Sequence, residues 1–231
     1  VLELEPERQD AREALVSCLL DADVRAYVEA LPLLEEILRR RPDDANVLVL
    51  LALCREGLGQ AQQAREILDR VLQEHPDHGL ALRERGRLAL QEGQSVEAER
   101  WLRRGLAILP HDFAANNSLL MCLQQQGKTA EVQLQRERVE QLKKCLKRLR
   151  EITEYQMSRR PYDPALYCEI GILNIRLGHL ELGYRWLQLA LKQTPNYPPA
   201  HAALAEYYER EGDTIQAAYH RQLAQGDSGH R

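Results

Sequence analysis

Apolar and polar residues recur along this chain with the period of amphipathic helices, and short breaks separate the helical segments. The plainest example begins near Ala45, where Asp43 or Asp44 can cap an apolar segment that ends at Gly57 and Gly59. A second segment, roughly 61–74, places its apolar residues at the i, i+3, i+4, i+7 and i+8 positions of one helix face. The pattern predicts a helix, a glycine turn, a second helix and then a stop at a proline.

The same unit recurs along the chain. Five glycines stand 34, 34, 51 and 34 residues apart and five prolines keep the same steps: Gly59, Gly93, Gly127, Gly178 and Gly212, with Pro42, Pro76, Pro110, Pro161 and Pro195. A unit of this size cannot bury its apolar face alone, so neighbouring units must stack around a continuous core. The spacing predicts an all-α array of helix pairs over residues 1–231, with repeats at about 9–42, 45–78, 79–112, 113–161, 164–197 and 198–225.

The repeat at 113–161 is interrupted within its second helix. The step from Gly127 to Pro161 is 34 residues, whereas the other glycine-to-proline steps are 17, and neither residue type occurs from Lys128 to Arg160. We therefore expect one extended helix around residues 129–158, ~42 Å long at the usual rise per residue. At the chain ends, 1–6 resembles the remnant of a preceding repeat and 226–231 is expected to be a disordered tail.

This extended segment is also the basic part of the chain. Residues 127–160 hold ten Lys or Arg against five Glu, which is a net charge of +5. Because the whole chain has a net charge of −4, the remaining residues carry −9. The densest cluster is Lys143, Lys144, Lys147, Arg148 and Arg150. It is either a contact for an acidic protein surface or an anionic polymer, or a solvated face whose charges pair with Glu140, Glu151 and Glu154. The negative total argues against a nucleic-acid binder.

The repeat resembles the tetratricopeptide repeat family, whose unit has small residues at positions 8 and 20, glycine near 15 and proline at 32. The second repeat supplies Ala52, Gly59, Ala64 and Pro76, the third Gly86, Gly93, Ala98 and Pro110, and the fifth Gly171, Gly178, Gly183 and Pro195. The resemblance covers nearly the whole chain. It implies a right-handed α-solenoid that binds proteins.

The resemblance also implies which residues face a partner, because the first helix of each unit lines the concave groove of such proteins. The positions carried over are Val49, Leu53, Glu56, Arg83, Arg87, Gln91, Asn117, Met121, Gln124, Gln125, Cys168, Ile172, Arg176, Ala202, Glu206, Glu209 and Arg210. Arg83 and Arg87 could bind a carboxylate of the ligand, and Asn117 with the glutamines could bind a peptide backbone. The second unit has Val49 and Leu53 where family members that clamp a carboxylate tail use polar residues.

No catalytic or cofactor motif is present, so we expect a protein that is not an enzyme and needs no cofactor or metal. The segment His75–His78 crosses a helix stop without a third ligand nearby. Five cysteines without a CxxC pair suggest buried small residues in a reducing compartment. No apolar run reaches the length of a membrane span and no secretory signal opens the chain, which favours the cytoplasm.

Three functions follow as hypotheses. The first is a scaffold that binds a peptide or a partner helix in its groove. The second is a structural module that self-associates through the long basic helix. The third is a regulatory or targeting segment of a larger enzyme.

Overall fold

The computed structural model describes residues 26–225, which form helices and turns without any strand in that range. The elements are α1 (Tyr27–Arg40), α2 (Ala45–Gly57), α3 (Ala61–Glu74), α4 (Gly79–Gln91), α5 (Ser95–Ile108), α6 (Phe113–Gln125), α7 (Thr129–Glu151), a π-helical turn (Ile152–Gln156), α8 (Pro164–Arg176), α9 (Leu180–Gln193), α10 (Pro198–Glu211) and α11 (Thr214–Ala224). The predicted remnant 1–6, the predicted tail 226–231, the start of the first repeat and Cys18 lie outside the described residues.

The helices belong to two compact units, Val1–Arg136 and Glu137–Arg231. The helix pairs α2/α3, α4/α5, α8/α9 and α10/α11 pack together as the sequence predicted, and within each unit the second helix of a pair packs on the following first helix. The all-α solenoid fold is therefore confirmed within each unit. The treatment of residues 1–231 as a single solenoid and the repeat boundaries stay predictions.

The first helices of the five repeats between residues 45 and 225 end in the same way. Gly59 has φ +79°, in the left-handed region that glycine enters without steric cost, and the four other repeat glycines share this conformation. The amide of Gln60 then donates to the carbonyl of Arg55 at 2.8 Å, which closes a Schellman motif. Because this turn reverses the chain tightly, each second helix packs directly against its first.

The helix starts also follow the sequence. Asp44 and Asp163 accept hydrogen bonds from backbone amides of the first turns of α2 and α8, and Pro164 occupies the first helical position of α8. Of the two aspartates that could cap α2, Asp44 does so. His78 caps α4 through Nδ1, which accepts from the Ala81 amide at 3.2 Å.

The extended helix is shorter as an α-helix than the sequence predicted. It ends at Glu151, after 23 residues, and the chain continues as a π-helical turn in which the Met157 amide donates to the Ile152 carbonyl at 2.9 Å. The Thr153 hydroxyl donates to the carbonyl of Leu149 at 3.0 Å and so occupies an acceptor of the last α-helical turn. This local competition accompanies the change from α to π geometry.

The two tryptophans hold equivalent positions, eight residues after a repeat glycine, and both are half-buried. Trp186 packs against Tyr167 with 5.5 Å between the ring centroids. Trp101 has the guanidinium groups of Arg85, Arg100 and Arg104 at 5.3 to 5.7 Å from its ring centre. The predicted packing role holds for Trp186, while the ring of Trp101 also faces cations.

Candidate functional site

The first helices of neighbouring repeats lie closer together than the second helices. In unit 1, α2 touches α4 and α4 touches α6, and in unit 2 α8 touches α10. Within the described residues, no comparable contact joins α3 to α5 or α9 to α11. The side that carries the first helices is therefore the inner side of each unit, and we call the exposed sides of α2, α4 and α6 the inner face of unit 1.

The apolar residues expected at the start of this face, Val49 and Leu53, are largely buried. Val49 is only 2% exposed because it packs into the core with Leu48 and Ala52, and Leu53 is half-buried. A buried valine cannot contact a partner unless its neighbours move. The expectation that Val49 presents its side chain to a ligand is therefore corrected: it supports the face from beneath.

Arg83 and Arg87 are held by carboxylates of their own chain. Arg87 binds both oxygens of Glu56 and also donates from Nε to Glu84 at 2.7 Å. Arg83 donates from Nε to Glu84 at 2.6 Å and from Nη1 to Asp112 at 2.7 Å. We call these five residues the arginine network; it joins α2, α4 and the start of α6.

Burial and charge balance explain why this network is stable. Glu84 is 3% exposed, and a buried carboxylate requires paired cations and hydrogen bonds. Burial alone would lower the pKa of Arg83 and Arg87, but the adjacent carboxylates raise both pKa values above the ordinary range. Two arginines face three carboxylates, so a ligand carboxylate would have to displace an existing partner. The three carboxylates of the network therefore compete with the ligand carboxylate that Arg83 and Arg87 were predicted to bind.

The part of the inner face that is open to solvent lies on α6. Its Met121 side chain is 46% exposed, and Asn117, Gln124 and Gln125 are exposed on the same helix, as is Gln91 on α4. Residues 117, 121 and 124 are spaced by one helical turn, so they share one side of α6. One flexible thioether flanked by amides can pack an apolar side chain and bind a peptide backbone.

Unit 2 presents a different surface on its first helices. Cys168 is buried, Ile172 is half-buried and Arg176 is exposed on α8. Burial raises the pKa of the Cys168 thiol to about 11, with a smaller contribution from Glu169, so this sulfur stays protonated at neutral pH and is a poor nucleophile. On α10 the carried-over positions Ala202, Glu206, Glu209 and Arg210 are exposed, and Glu209 pairs with Arg221.

The basic cluster on α7 divides into paired and unpaired residues. Arg148 binds Glu169 through two nitrogens, at 2.6 and 2.8 Å, and Arg150 pairs with Glu154 at 3.7 Å. Lys143, Lys144 and Lys147 are exposed and make no ion pair with any residue between 26 and 225. The expected pairing therefore occurs at Arg150 but not at Lys144 or Lys147.

Two network residues were absent from the groove prediction, Glu84 and Asp112. Asp112 follows Pro110 by two residues and caps α6, and this capping role could have been predicted from the sequence. Its bond to Arg83 could not, because the two residues are 29 positions apart. Glu84 sits next to Arg83 in sequence, and nothing in its neighbours marks it as buried. Glu84 reaches both arginines within α4, whereas only the packing of α4 against α6 brings Asp112 to Arg83.

Within residues 26–225, no three His, Cys, Asp or Glu side chains gather closely enough to hold a metal ion. No helix in that range combines the length and the hydropathy that crossing a membrane requires.

Comparisons with known proteins place these helices in a family. The family model for the tetratricopeptide repeat matches residues 23–85 and 57–121. A search of curated proteins finds no match. Among solved structures, PilF of Pseudomonas aeruginosa is 15% identical and has a TM-score of 0.51. The match covers 95% of this chain and 94% of the PilF chain.

Two further structures are similar over most of their length. MamA from Desulfovibrio magneticus RS-1 is 20% identical, with 95% of this chain and 97% of that chain covered and a TM-score of 0.42. YrrB, described as a TPR protein with an unusual peptide-binding site, is 13% identical, with 83% and 90% covered and a TM-score of 0.45.

The repeat register, the helix pairs and the family match agree. Residues 23–121 therefore belong to the tetratricopeptide repeat family, whose repeats form protein–protein interaction scaffolds.

Proposed function

We propose that this chain is a non-catalytic scaffold that binds an extended peptide segment on the inner face of unit 1. The observation that carries the proposal is the open side of α6, where Met121 is 46% exposed between Asn117, Gln124 and Gln125. Exposed methionine adapts to apolar side chains of different shape, and the amides supply donors and acceptors for a backbone. The arginine network beside α6 sets the position of this helix.

The charges of the network bear on which peptides would bind. Arg83 and Arg87 already have carboxylate partners, so affinity should come from the peptide backbone and one apolar side chain and not from a terminal carboxylate. Peptides with a free and with an amidated C-terminus should then bind equally well. This differs from the hypothesis drawn from the sequence, in which both arginines bind a carboxylate of the ligand.

Substituting the open side of α6 tests this proposal. Purified protein would be screened against a display library of random peptides, and the selected peptides measured by fluorescence anisotropy. We expect Asn117→Ala, Met121→Ala and Gln124→Ala together to weaken binding at least ~10-fold, since interface side chains at the centre of a contact contribute about 1–2 kcal/mol each. All three side chains are exposed, so the free energy of unfolding should change little.

The matched control lies on the second helix α3, where Gln63 and Gln73 are exposed and their side chains make no hydrogen bond within residues 26–225. Gln63→Ala with Gln73→Ala should leave peptide affinity unchanged. Equal loss in both variants, or no loss in the α6 variant, would refute the proposed site.

A second candidate function is self-association through α7. It rests on Lys143, Lys144 and Lys147, three exposed cations without an ion-pair partner between residues 26 and 225, in a chain whose remaining part is acidic. Opposite charges on two copies attract at low salt and are screened at high salt. The regulatory segment of a larger enzyme stays a hypothesis that needs the flanking sequence.

Analytical ultracentrifugation tests this second candidate. We expect the wild type to form dimers at 20 mM salt that dissociate at 500 mM, and the variant with all three lysines changed to Glu to be monomeric at both. Changing Arg176, Arg185 and Lys192, three exposed cations of unit 2, to Glu is the charge-matched control and should leave the dimer intact. A wild type that is monomeric at low salt would dismiss self-association without affecting the peptide proposal.

A further inference from the structure

Two buried histidines face each other in the last repeat. His201 on α10 is 4% exposed and His220 on α11 is 7% exposed. Their Nδ1 atoms lie 2.9 Å apart, and the Nε2 atom of His201 lies 2.9 Å from the carbonyl oxygen of Pro195. We call these two residues the histidine pair.

These contacts determine where the protons sit. A carbonyl oxygen only accepts, so Nε2 of His201 carries a proton and donates it to Pro195. In neutral His201 the Nδ1 atom is then an acceptor, so Nδ1 of His220 must carry the proton between the rings. If both imidazoles were charged, both Nδ1 atoms would carry protons and the bond between the rings would be lost. The folded pair can therefore hold at most one additional proton, whereas two separate histidines would take up two.

The same position in other repeats carries side chains that cannot titrate near neutral pH. In unit 1 the equivalent residues are Asn116 and Gln135, and Gln135 donates to the Asn116 side chain at 2.9 Å. Asn116 donates in turn to the carbonyl of Pro110 at 3.1 Å, which corresponds to the His201 contact with Pro195. In the repeat at 164–197 the pair is Tyr167 and Trp186. Of these three pairs, only the histidine pair consists of side chains that ordinarily change charge near neutral pH.

The surroundings of the pair offer no charge that would favour a second proton. The ring of Tyr208 stacks on His220 at 5.5 Å, and Tyr219 meets its edge at 5.2 Å. Burial raises the pKa of Tyr208, which therefore stays neutral. The other ionisable groups of the packed elements are Tyr167, Cys168, Glu169 and Arg176 on α8, Glu181, Tyr184, Arg185 and Lys192 on α9, Tyr197, Glu206, Tyr207, Glu209, Arg210 and Glu211 at α10, and Asp213 and Arg221 at α11.

Within residues 26–225, none of these groups forms an ion pair with either imidazole. Glu209 is paired with Arg221, Asp213 caps α11 by accepting from the Gln216 amide, and Tyr184 accepts from the Tyr208 hydroxyl. Within residues 26–225, the polar contacts of the two rings are with each other and with Pro195. Burial, followed by the neighbouring His201, lowers the pKa of His220 below its ordinary 6.5.

We propose that the histidine pair is a pH-sensitive latch, which holds the terminal helix α11 on α10 at neutral pH and releases it on acidification. Release would expose the side of α10 that α11 covers, including His201. The proposal concerns the last repeat alone and does not depend on the peptide site of unit 1.

The direction of the effect follows from proton counting. Well above pH 6.5, the ordinary pKa of histidine, the released state takes up no more protons than the closed pair, so the latch is fully closed. Below pH 6.5 the released state binds protons that the closed state does not, so α11 opens more readily as pH falls. Each missing proton changes the opening equilibrium about tenfold per pH unit, until the pH drops below the lowered pKa of His220.

Hydrogen exchange of the full chain tests this latch. Protection of the amides in 214–224, corrected for the intrinsic pH dependence of exchange, would be measured from pH 8 to pH 5. We expect protection to be constant above pH 6.5 and to fall at least ~10-fold by pH 5.5. Amides of α4 serve as an internal reference, and their protection should not change over the same range. Constant protection of 214–224 throughout the series would overturn the proposal.

The chain itself provides the matched variant. His201→Asn with His220→Gln copies the pair Asn116 and Gln135, keeps the contact to Pro195 and removes both titrating groups; its protection should be independent of pH. His179→Gln, at an exposed histidine that makes no capping bond, should behave as the wild type. If the double variant does not fold, ring titration of the wild type by NMR decides: two histidines that each titrate near pH 6.5 while α11 stays protected would overturn the latch.

Discussion

Reversing both charges with Arg83→Glu and Arg87→Glu is expected to unfold the central helices of unit 1. Glu56, Glu84 and Asp112 would then face two further carboxylates, with Glu84 only 3% exposed. Breaking a buried ion pair costs about 3–5 kcal/mol, and like charges in its place add to that cost. Urea unfolding followed by circular dichroism should show the transition of unit 1 shifted to a much lower midpoint.

This result matters for the function because the same variant would otherwise seem the natural test of the groove. Loss of binding in an unfolded unit says nothing about contacts. Lys143→Glu with Lys147→Glu makes an equal change of charge at two exposed residues without ion pairs in the described range, and it should shift stability by less than about 1 kcal/mol. If the arginine variant kept its unfolding midpoint and lost only peptide binding, the arginines would be ligand groups and the network dispensable.

Gly183→Val should destabilise unit 2 by about 3 kcal/mol, because the crossing of α8 and α9 leaves no room for a side chain. A Cβ atom at Gly183 would lie 2.7 Å from the carbonyl oxygen of Gly171 and 3.0 Å from the amide of Ile175. Both are backbone atoms, which cannot rotate away, so the helices must separate. Thermal and urea unfolding would measure this loss.

The control for Gly183 is another helical glycine with more space. A Cβ atom at Gly105 would meet its nearest neighbour, Leu82, at 3.3 Å. Gly105→Ala should be close to neutral, since alanine also gains about 1 kcal/mol of helix propensity. Equal destabilisation by Gly183→Val and Gly105→Ala would show that the space at Gly183 is no more restricted than at Gly105, and would contradict the explanation from the close helix crossing.

The repeat architecture was predictable because its signals are local. Gly59 and Pro76 act within a few residues, through a left-handed turn and a missing amide, and their period of 34 residues reveals the unit without any tertiary knowledge. The caps Asp44 and Asp163 follow the same local logic. The α-helical end at Glu151 was missed because the competition of the Thr153 hydroxyl with the helix hydrogen bonds leaves no mark in the periodicity.

The candidate site was predictable only in outline. Position counting placed Asn117, Met121 and Gln124 on an exposed side of α6, where the structure has them. The same counting could not show that Val49 is buried, because an apolar residue on a first helix can pack inward or face a partner. A spacing rule relates Arg87 to Glu84, three residues earlier on α4, but none reveals Glu56 on α2 or Asp112 at the start of α6.

The sequence by itself determined that helix pairs of 34 residues stack around a shared core, since turn glycines, stop prolines and apolar stripes act over a few residues. Only the tertiary structure decided which of the polar side chains meet. Buried charges and imidazoles must find partners on other helices, and the same position can hold the amides Asn116 and Gln135 or the imidazoles His201 and His220. Proximity in three dimensions thus pairs two histidines that the sequence does not relate. It also places two arginines predicted to face a ligand in a network of ion pairs within the chain.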